Sequence, residues 1–469
     1  MAKKKTIWET YSPEQLAEAQ AFCEDYKAFM SNCKTERECV TGIIDLAEEK
    51  GYRDLKALLA EGAELKAGDK VYVNNRGKML MLVQLGKGTF QEHINILGGH
   101  IDSPRIDLKP TPLYEDNGFA MFKTHYYGGI KKYQWLALPL ALHGVIAKKD
   151  GRSIKVVIGE DPSDPVLGIT DLLPHFDKDM RTKPIGTAFT GEDLNVSAGS
   201  IPYISENEEE EKDASEAVRK NILNILKQKF DFDEEDFLSS EFEIVPAGPA
   251  RDYGIDRSMI MAYGHDDRIC SYTSAMAQLA YADTVTDRTL VSLLVDKEEI
   301  GSVGATGMQS HFFENAIAEI MNLAGEYTEL NMRRTLSNAK MLSSDVTNGF
   351  DPNYASIHDR TNAPFFAFGP TLHKYTGGGG KGGSNDACPE FIAEIRKVYD
   401  DNEIRFQLAE LGKVDGGGGG TIAYIMGNYN MDVIDLGIPV HSMHAPWETA
   451  SKVDIYEAFR AYKAFLEFM

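Results

Sequence analysis

The stretch Thr289-Leu-Val-Ser-Leu-Leu-Val-Asp-Lys-Glu298-Glu299-Ile-Gly-Ser302 constrains this chain more than any other. Leu290 to Val295 is an apolar, mostly branched run that reads as a buried strand. It ends in two adjacent carboxylates and a glycine. Neighbours on extended chain point in opposite directions, so Glu298 and Glu299 cannot share one task unless the chain bends. A strand end carrying two differently aimed acids is where α/β enzymes place their chemistry. One acid could bind a metal while the other acts as a base. The plain alternative is an ordinary solvated strand end.

A chain of 469 residues has room for two to three domains, and 43% apolar with 26% charged residues is the balance of a soluble globular protein. The formal net charge of -23 argues against nucleic-acid or anionic-membrane partners. It also means that any preference for acidic substrates must come from local basic residues. The five cysteines (Cys23, Cys33, Cys39, Cys270, Cys388) are an odd set without a C-x-x-C pair, which reads as reduced thiols in a cytoplasmic protein. The basic Met-Ala-Lys-Lys-Lys start has no apolar core after it, so no signal peptide is expected. No apolar run is long enough to cross a bilayer.

Taken in order, Ser12-Pro13-Glu14-Gln15 opens a helix by a capping box with proline at the first helical position, and Thr35-Glu36-Arg37-Glu38 opens a second. Val40, Ile43, Ile44 and Ala47 recur at helical spacing, and Gly51 is a stop. Lys70–Val73 and Lys78–Gln84 read as strands joined through Asn74-Asn75-Arg76-Gly77. Ile94–Leu97 is a short strand leading into Gly98-Gly99-His100. From about 111 to 245 the character turns β-rich, with a hairpin signal at Asp150-Gly151, an acidic loop from Ser205 to Asp213, a helix over Ala217–Phe230 and a return strand at Phe242–Val245. Beyond Asp266 the α/β alternation returns, with strand candidates at Leu290, Lys340, Ile404 and Val433 and a last helix from Val453 to Met469. The expected division is therefore 1–110 and 246–469 for an α/β domain, interrupted by a β-rich insert at 111–245.

Several short motifs fall at predicted strand ends. His100-Ile-Asp102 puts two side chains on one side of an extended segment, and the aspartate can orient a ligand without touching a metal. Asp266-Asp267 precedes a small-residue helix, where two acids also simply complement the helix dipole. Leu342-Ser-Ser-Asp345 and Val440-His441-Ser-Met-His444 end two further apolar strands. Together they offer His100, Asp266, Glu298 or Glu299, Asp345 and His444, all of types that zinc accepts. The set suits two metals with a bridging carboxylate and water. The glycine runs Gly377–Ser384 and Asp415–Thr421 are not nucleotide P-loops: the first lacks Ser or Thr after Gly-Lys and the second has no lysine.

Taken as a set, Gly98-Gly-His100-Ile-Asp102-Ser-Pro-Arg, Asp266-Asp-Arg, Asp296-Lys-Glu298-Glu299-Ile-Gly-Ser, Ser343-Ser-Asp345 and Ser442-Met-His444 resemble the M18 metalloaminopeptidases, of which aspartyl aminopeptidase is the best-known type. The resemblance implies an α/β fold: a di-zinc catalytic domain with a mixed central sheet flanked by helices, interrupted by a β-rich oligomerisation domain. By motif, His100, Asp266, Glu299, Asp345 and His444 correspond to the metal ligands, with Asp266 bridging. Glu298 corresponds to the general base and Asp102 to the residue that orients the site. His358, in Asp351-Pro-Asn-Tyr-Ala-Ser-Ile-His, falls in a substrate-pocket segment, and His175 sits where the family supplies an imidazole from a neighbouring subunit.

The function so implied is hydrolysis of the N-terminal residue from peptides by a two-metal activated water. Two Zn2+ per subunit are expected, with Co2+ or Mn2+ suited to the same ligands. An N-terminal Asp or Glu would find cations in Lys374, Lys381, Arg360 and His358. The family further implies a homo-oligomer, a tetrahedral dodecamer, in the cytoplasm, with peptides as partners and neither nucleic acid nor membrane. The competing readings are a di-zinc deacylase of small N-acyl amino acids and a catalytically inactive assembly protein.

Overall fold

A computed structural model describes residues 5–92, 94–204 and 216–469; the acidic run at Ser205–Asp213 lies outside them. The chain divides into two compact units: Met1–Ser103, Ala250–Met443 and Glu448–Met469 form the first, and Pro104–Pro249 with His444–Trp447 the second.

The first unit is built on a nine-stranded mixed sheet. Its centre runs Met79–Gln84, Thr289–Val295, Ile94–His100, Lys340–Ser343, Asp432–Gly437, and the last four of these are parallel. The strands are buried on both faces, so they read as continuous apolar runs rather than alternating ones. Alternation decides only which face each residue serves. Leu80, Leu82, Leu290, Leu294, Leu342 and Ile434 pack into one apolar cluster with the helices Pro13–Asn32, Glu36–Glu49, His265–Leu279 and Lys452–Phe468. Met79, Met81, Val291, Leu293, Met341 and Val433 pack into another, with Phe312–Leu323 and Glu329–Asn338.

Local signals set the boundaries. Ser12 and Gln15 close the expected capping box on the helix that begins at Pro13. At the next helix the Thr35 side chain accepts the Glu38 N–H, while the Glu38 carboxylate reaches back to the N–H of Lys34 at 3.0 Å. The Ala217–Phe230 helix and the hairpin through Asn74–Gly77 form as read from the sequence. Two expectations shift. Gly98, Gly99 and His100 belong to the strand rather than following it, and the strand sought at Ile404 is the two-residue Gln407–Leu408, because Ile404 ends the turn after the Pro389–Asp401 helix.

A second sheet of this unit pairs Met259–Ala262 with Glu448–Ser451, in the register Ala262↔Glu448. The second unit carries a six-stranded antiparallel sheet in the order Ser153–Ile158, Leu140–Ala147, Ser240–Pro246, Arg105–Asp116, Phe119–Tyr127, Val196–Gly199.

Candidate metal centre

Strand register brings distant residues to one edge of the first unit's sheet. Val295 pairs with His100, and Ser343 pairs with Gly98. Asp345 therefore comes level with His100, and Glu298 and Glu299 leave the neighbouring strand just beyond it. The fourth contributor enters from the side, since the helix His265–Leu279 packs on the strand through the Ser271 hydroxyl, which donates to the carbonyl of His100 at 2.7 Å. This close approach needs a residue without a side chain at position 99, where a Cβ would lie 2.8 Å from Ser271 Oγ and 3.0 Å from Asp267 Oδ2.

His100 is buried at the centre. Its Nδ1 lies 3.0 Å from the carbonyl of Asp102, which can only accept, so Nδ1 carries the proton. The lone pair is left on Nε2, a buried atom that makes no hydrogen bond. Around Nε2 stand Asp266 Oδ1 at 3.2 Å, Asp345 Oδ1 at 3.8 Å and Glu298 Oε2 at 3.9 Å. Two overlapping trios, His100–Glu298–Asp345 and His100–Asp266–Glu299, each bring one ligand atom per residue within 4.8 Å of one another. A buried lone-pair nitrogen ringed by carboxylates is a donor set for divalent cations. Its nitrogen and oxygen donors suit zinc.

The charges say the same. Burial opposes a second proton on His100, at Nε2, yet the carboxylates of Asp102, Asp266 and Asp345 outweigh it and hold the pKa well above its usual value, so a bound cation would take the place of that proton. Burial pushes Glu298 up to about 8, and the charges of Asp345, Asp102 and Asp266 act in the same sense against the pull of His100. Asp267 is raised well above the carboxylate range by burial and then by Asp345. So many acids crowded together call for a positive charge among them.

The supporting contacts are specific. Asp102 Oδ1 and Oδ2 each accept one backbone N–H, from Glu298 and Glu299, both at 3.1 Å. The Asp266 N–H donates to Glu448 Oε2 at 2.9 Å, and Ser103 Oγ donates to the Asp266 carbonyl at 2.6 Å. Asp267 Oδ2 accepts the His100 N–H at 3.2 Å. Sequence reasoning left Asp267 as a mere alternative to Asp266 and gave Glu448 no task. The signal for Asp267 was its place beside Asp266; for Glu448 it was an acid inside the Glu448-Thr-Ala-Ser strand. Asp435, buried in the Asp432–Gly437 strand and raised to about 7 by burial, was likewise missed; Thr421 Oγ1 donates to it at 2.5 Å.

The other expected residues are not in the two trios. His444 falls in the second unit, where its Nδ1 donates to the carbonyl of Gly129 at 3.0 Å. His175 is exposed in that same unit. His358 is buried, its ring 5.2 Å from that of Phe350, and burial and then His441 lower its pKa. Lys374 and Lys381 both pair with one carboxylate, that of Asp386, the second at 2.9 Å. Arg360 lies 4.8 Å over the Phe350 ring.

Comparison with known proteins places the chain in a family. Residues 29–466 match the family described as aminopeptidase I zinc metalloprotease (M18). A Clostridium acetobutylicum protein named probable M18 family aminopeptidase 1 is 54% identical over 462 residues, covering 98% of each chain. The crystal structure of aminopeptidase I from Clostridium acetobutylicum is similar with a TM-score of 0.91 at 51% identity, over 99% of this chain and 100% of that one. The crystal structure of the M18 family aminopeptidase from Thermotoga maritima is similar with a TM-score of 0.92 at 42% identity, over 100% of both. Matched from end to end, and carrying at its sheet edge a buried imidazole among carboxylates, the chain belongs to the M18 family of zinc-dependent metalloaminopeptidases.

Proposed function

We propose that this chain releases N-terminal residues from peptides at a site that holds two zinc ions, with Glu298 as the general base. The observation that carries the reading is the split aim of the two glutamates. Glu299 groups with His100 and Asp266, and Glu298 groups with His100 and Asp345, although the two are adjacent in sequence. His100, Asp266, Glu299 and Asp345 would hold the ions, with Asp266 bridging; His444 joins them on its motif alone. Bound zinc supplies Lewis acidity that brings the pKa of water towards neutrality. Glu298 takes the proton of the attacking water and delivers it to the leaving amine. Asp102 holds both glutamates by their backbone N–H groups and keeps His100 in the tautomer that leaves Nε2 open. His175 of a neighbouring subunit is proposed to face the reacting carbonyl.

The proposed preference for N-terminal Asp or Glu takes a definite form. A substrate carboxylate would have to displace Asp386 from Lys374 and Lys381, with His358 and Arg360 nearby in sequence. The compartment is proposed to be the cytoplasm, in keeping with five free cysteines. No helix among the described residues is long and apolar enough to cross a membrane.

One experiment tests the core of this. Zinc-loaded wild type and Glu298→Gln are assayed on a panel of aminoacyl chromogenic substrates and on N-acetyl amino acids. Glu298→Gln is expected to keep two zinc ions per chain and lose ~10²–10⁴ in kcat. Turnover near wild type would remove Glu298 as the base. Leucine or alanine derivatives outpacing aspartate and glutamate ones would end the acidic preference, and faster N-acetyl hydrolysis would favour a deacylase. Less than one zinc per chain with no amidase activity would favour an inactive assembly protein.

A further inference from the structure

We propose that Lys297 is a positioning residue for the hydrolysis: its ammonium, tied to Asp296 and Thr306, holds the turn from which Glu298 and Glu299 project. The inference rests on the reading of Glu298 as the base.

The strand ends at Val295, and the chain must change direction before Glu298. It does so at Lys297, whose φ of 69° and ψ of 16° are left-handed. A residue with a Cβ is disfavoured there, so glycine would be the easy choice. A lysine in this place calls for a reason, and its side chain provides one. Nζ donates to Asp296 Oδ2 at 2.5 Å and to Thr306 Oγ1 at 2.6 Å. The Thr306 hydroxyl in turn donates to the same Asp296 oxygen at 2.5 Å, closing a triangle. Asp296 is fully buried, and Lys78 Nζ stands 3.7 Å from it. The backbone is pinned alongside, with the Asp296 N–H on the Thr306 carbonyl at 3.2 Å and the Ser302 N–H on the Lys297 carbonyl at 2.6 Å.

The two glutamates are thus held from both sides. Asp102 fixes the direction of their N–H groups, and the Lys297 triangle fixes the residue from which they start. Neither Asp296 nor Thr306 belongs to the clusters of possible metal ligands, so the triangle acts on the reaction through Glu298 and Glu299. Misplacing a catalytic group by about 1 Å can cost roughly 10²-fold in rate, which is the scale on which such a turn matters.

Steady-state kinetics on zinc-loaded Lys297→Met, Lys297→Gly, Lys297→Arg and Thr306→Val test this, with zinc content and melting temperature measured on each. Lys297→Gly keeps a backbone at ease in the left-handed turn but removes the tether. Lys297→Met keeps the strain and removes the tether. Both are expected to lose roughly 10- to 100-fold in kcat with KM within about twofold and wild-type zinc content, and Lys297→Arg to recover part of the loss. Should the Lys297 variants fail to fold, Thr306→Val, which removes one corner of the triangle, is expected to show a smaller kcat loss. Wild-type kcat in Lys297→Gly or in Thr306→Val would overturn the inference, as would losses that only track zinc content or folded fraction. Glu298→Gln is run in parallel. Full turnover in that variant defeats the base reading itself, whereas an inactive Glu298→Gln beside a fully active Lys297→Gly defeats only the positioning role.

Discussion

Asp102 shows how much of this site is decided by one carboxylate. Both its oxygens accept backbone N–H groups of the glutamate pair, and its own carbonyl sets the His100 tautomer. Asp102→Asn turns one acceptor oxygen into a donor that faces an N–H group. We expect zinc affinity or kcat to fall roughly 10–100-fold, read by zinc competition against a chromogenic chelator together with kcat. At this scale the sequence was legible to a large degree: His100, Asp266, Glu298 or Glu299, Asp345 and His444 were nameable from residue type and place at a strand end, and all of these but His444 fall in the two trios. What could not be read was pairing. Lys374 and Lys381 look like free cations along the chain, and only folding places Asp386 between them.

The strand Thr371–His373 belongs to the same sheet but carries a different kind of constraint. His373 is wholly buried, and burial pushes its pKa down to about 4 from an ordinary 6.5. The sign follows from which state binds the proton. Between pH 6.5 and about 4 the unfolded chain binds it and the folded chain does not, so stability falls as the pH drops through that window and is flat above it. The loss reaches on the order of 3 kcal/mol by the low end. His373→Leu, which cannot titrate, should therefore show a smaller drop in melting temperature between pH 7 and pH 5 than wild type, measured by circular dichroism with zinc held in excess. An equal drop in both would refute the assignment. Elements themselves were read well where a local cause makes them, as with the Ser12 cap and the Asn74–Gly77 turn. They were misread where a neighbour makes them: Gly98 and Gly99 are poor strand formers by themselves and are strand because parallel partners flank Gly98 on both sides and Gly99 on one.

For the whole molecule, the crowd of carboxylates at the sheet edge ties stability to metal. A ligand at 100 times its Kd contributes about 2.7 kcal/mol. Stripping the protein with a chelator is expected to abolish activity and lower the melting temperature by several degrees, both restored by added zinc. An unchanged melting temperature would mean that the cluster holds no resident cation. The second unit exposes the large apolar side chains of Phe176 at 73%, Ile201 at 71% and Ile204 at 78%. We propose that this unit mediates homo-oligomerisation, into a tetrahedral dodecamer. Light scattering is expected to give a mass many times that of one 52.0 kDa chain, and Phe176→Asp to lower it. A monomer for wild type would dismiss the assembly.

By itself the sequence determined the kinds of element, the interruption of an α/β chain by a β-rich segment, and the residue types fit for metal and base. These follow from patterns a few residues long, in which side-chain period, caps and turn chemistry act locally. Tertiary structure decided which of those residues meet. The 197 positions between His100 and Glu298 are crossed by a parallel register, Val295↔His100, that no local pattern encodes. The chain bends at Glu298 and Glu299, so that both reach His100, through a left-handed turn held from Asp102 on one side and from Asp296 and Thr306 on the other. Burial then gives those few carboxylates the electrostatics of a metal site, because less water is there to screen them.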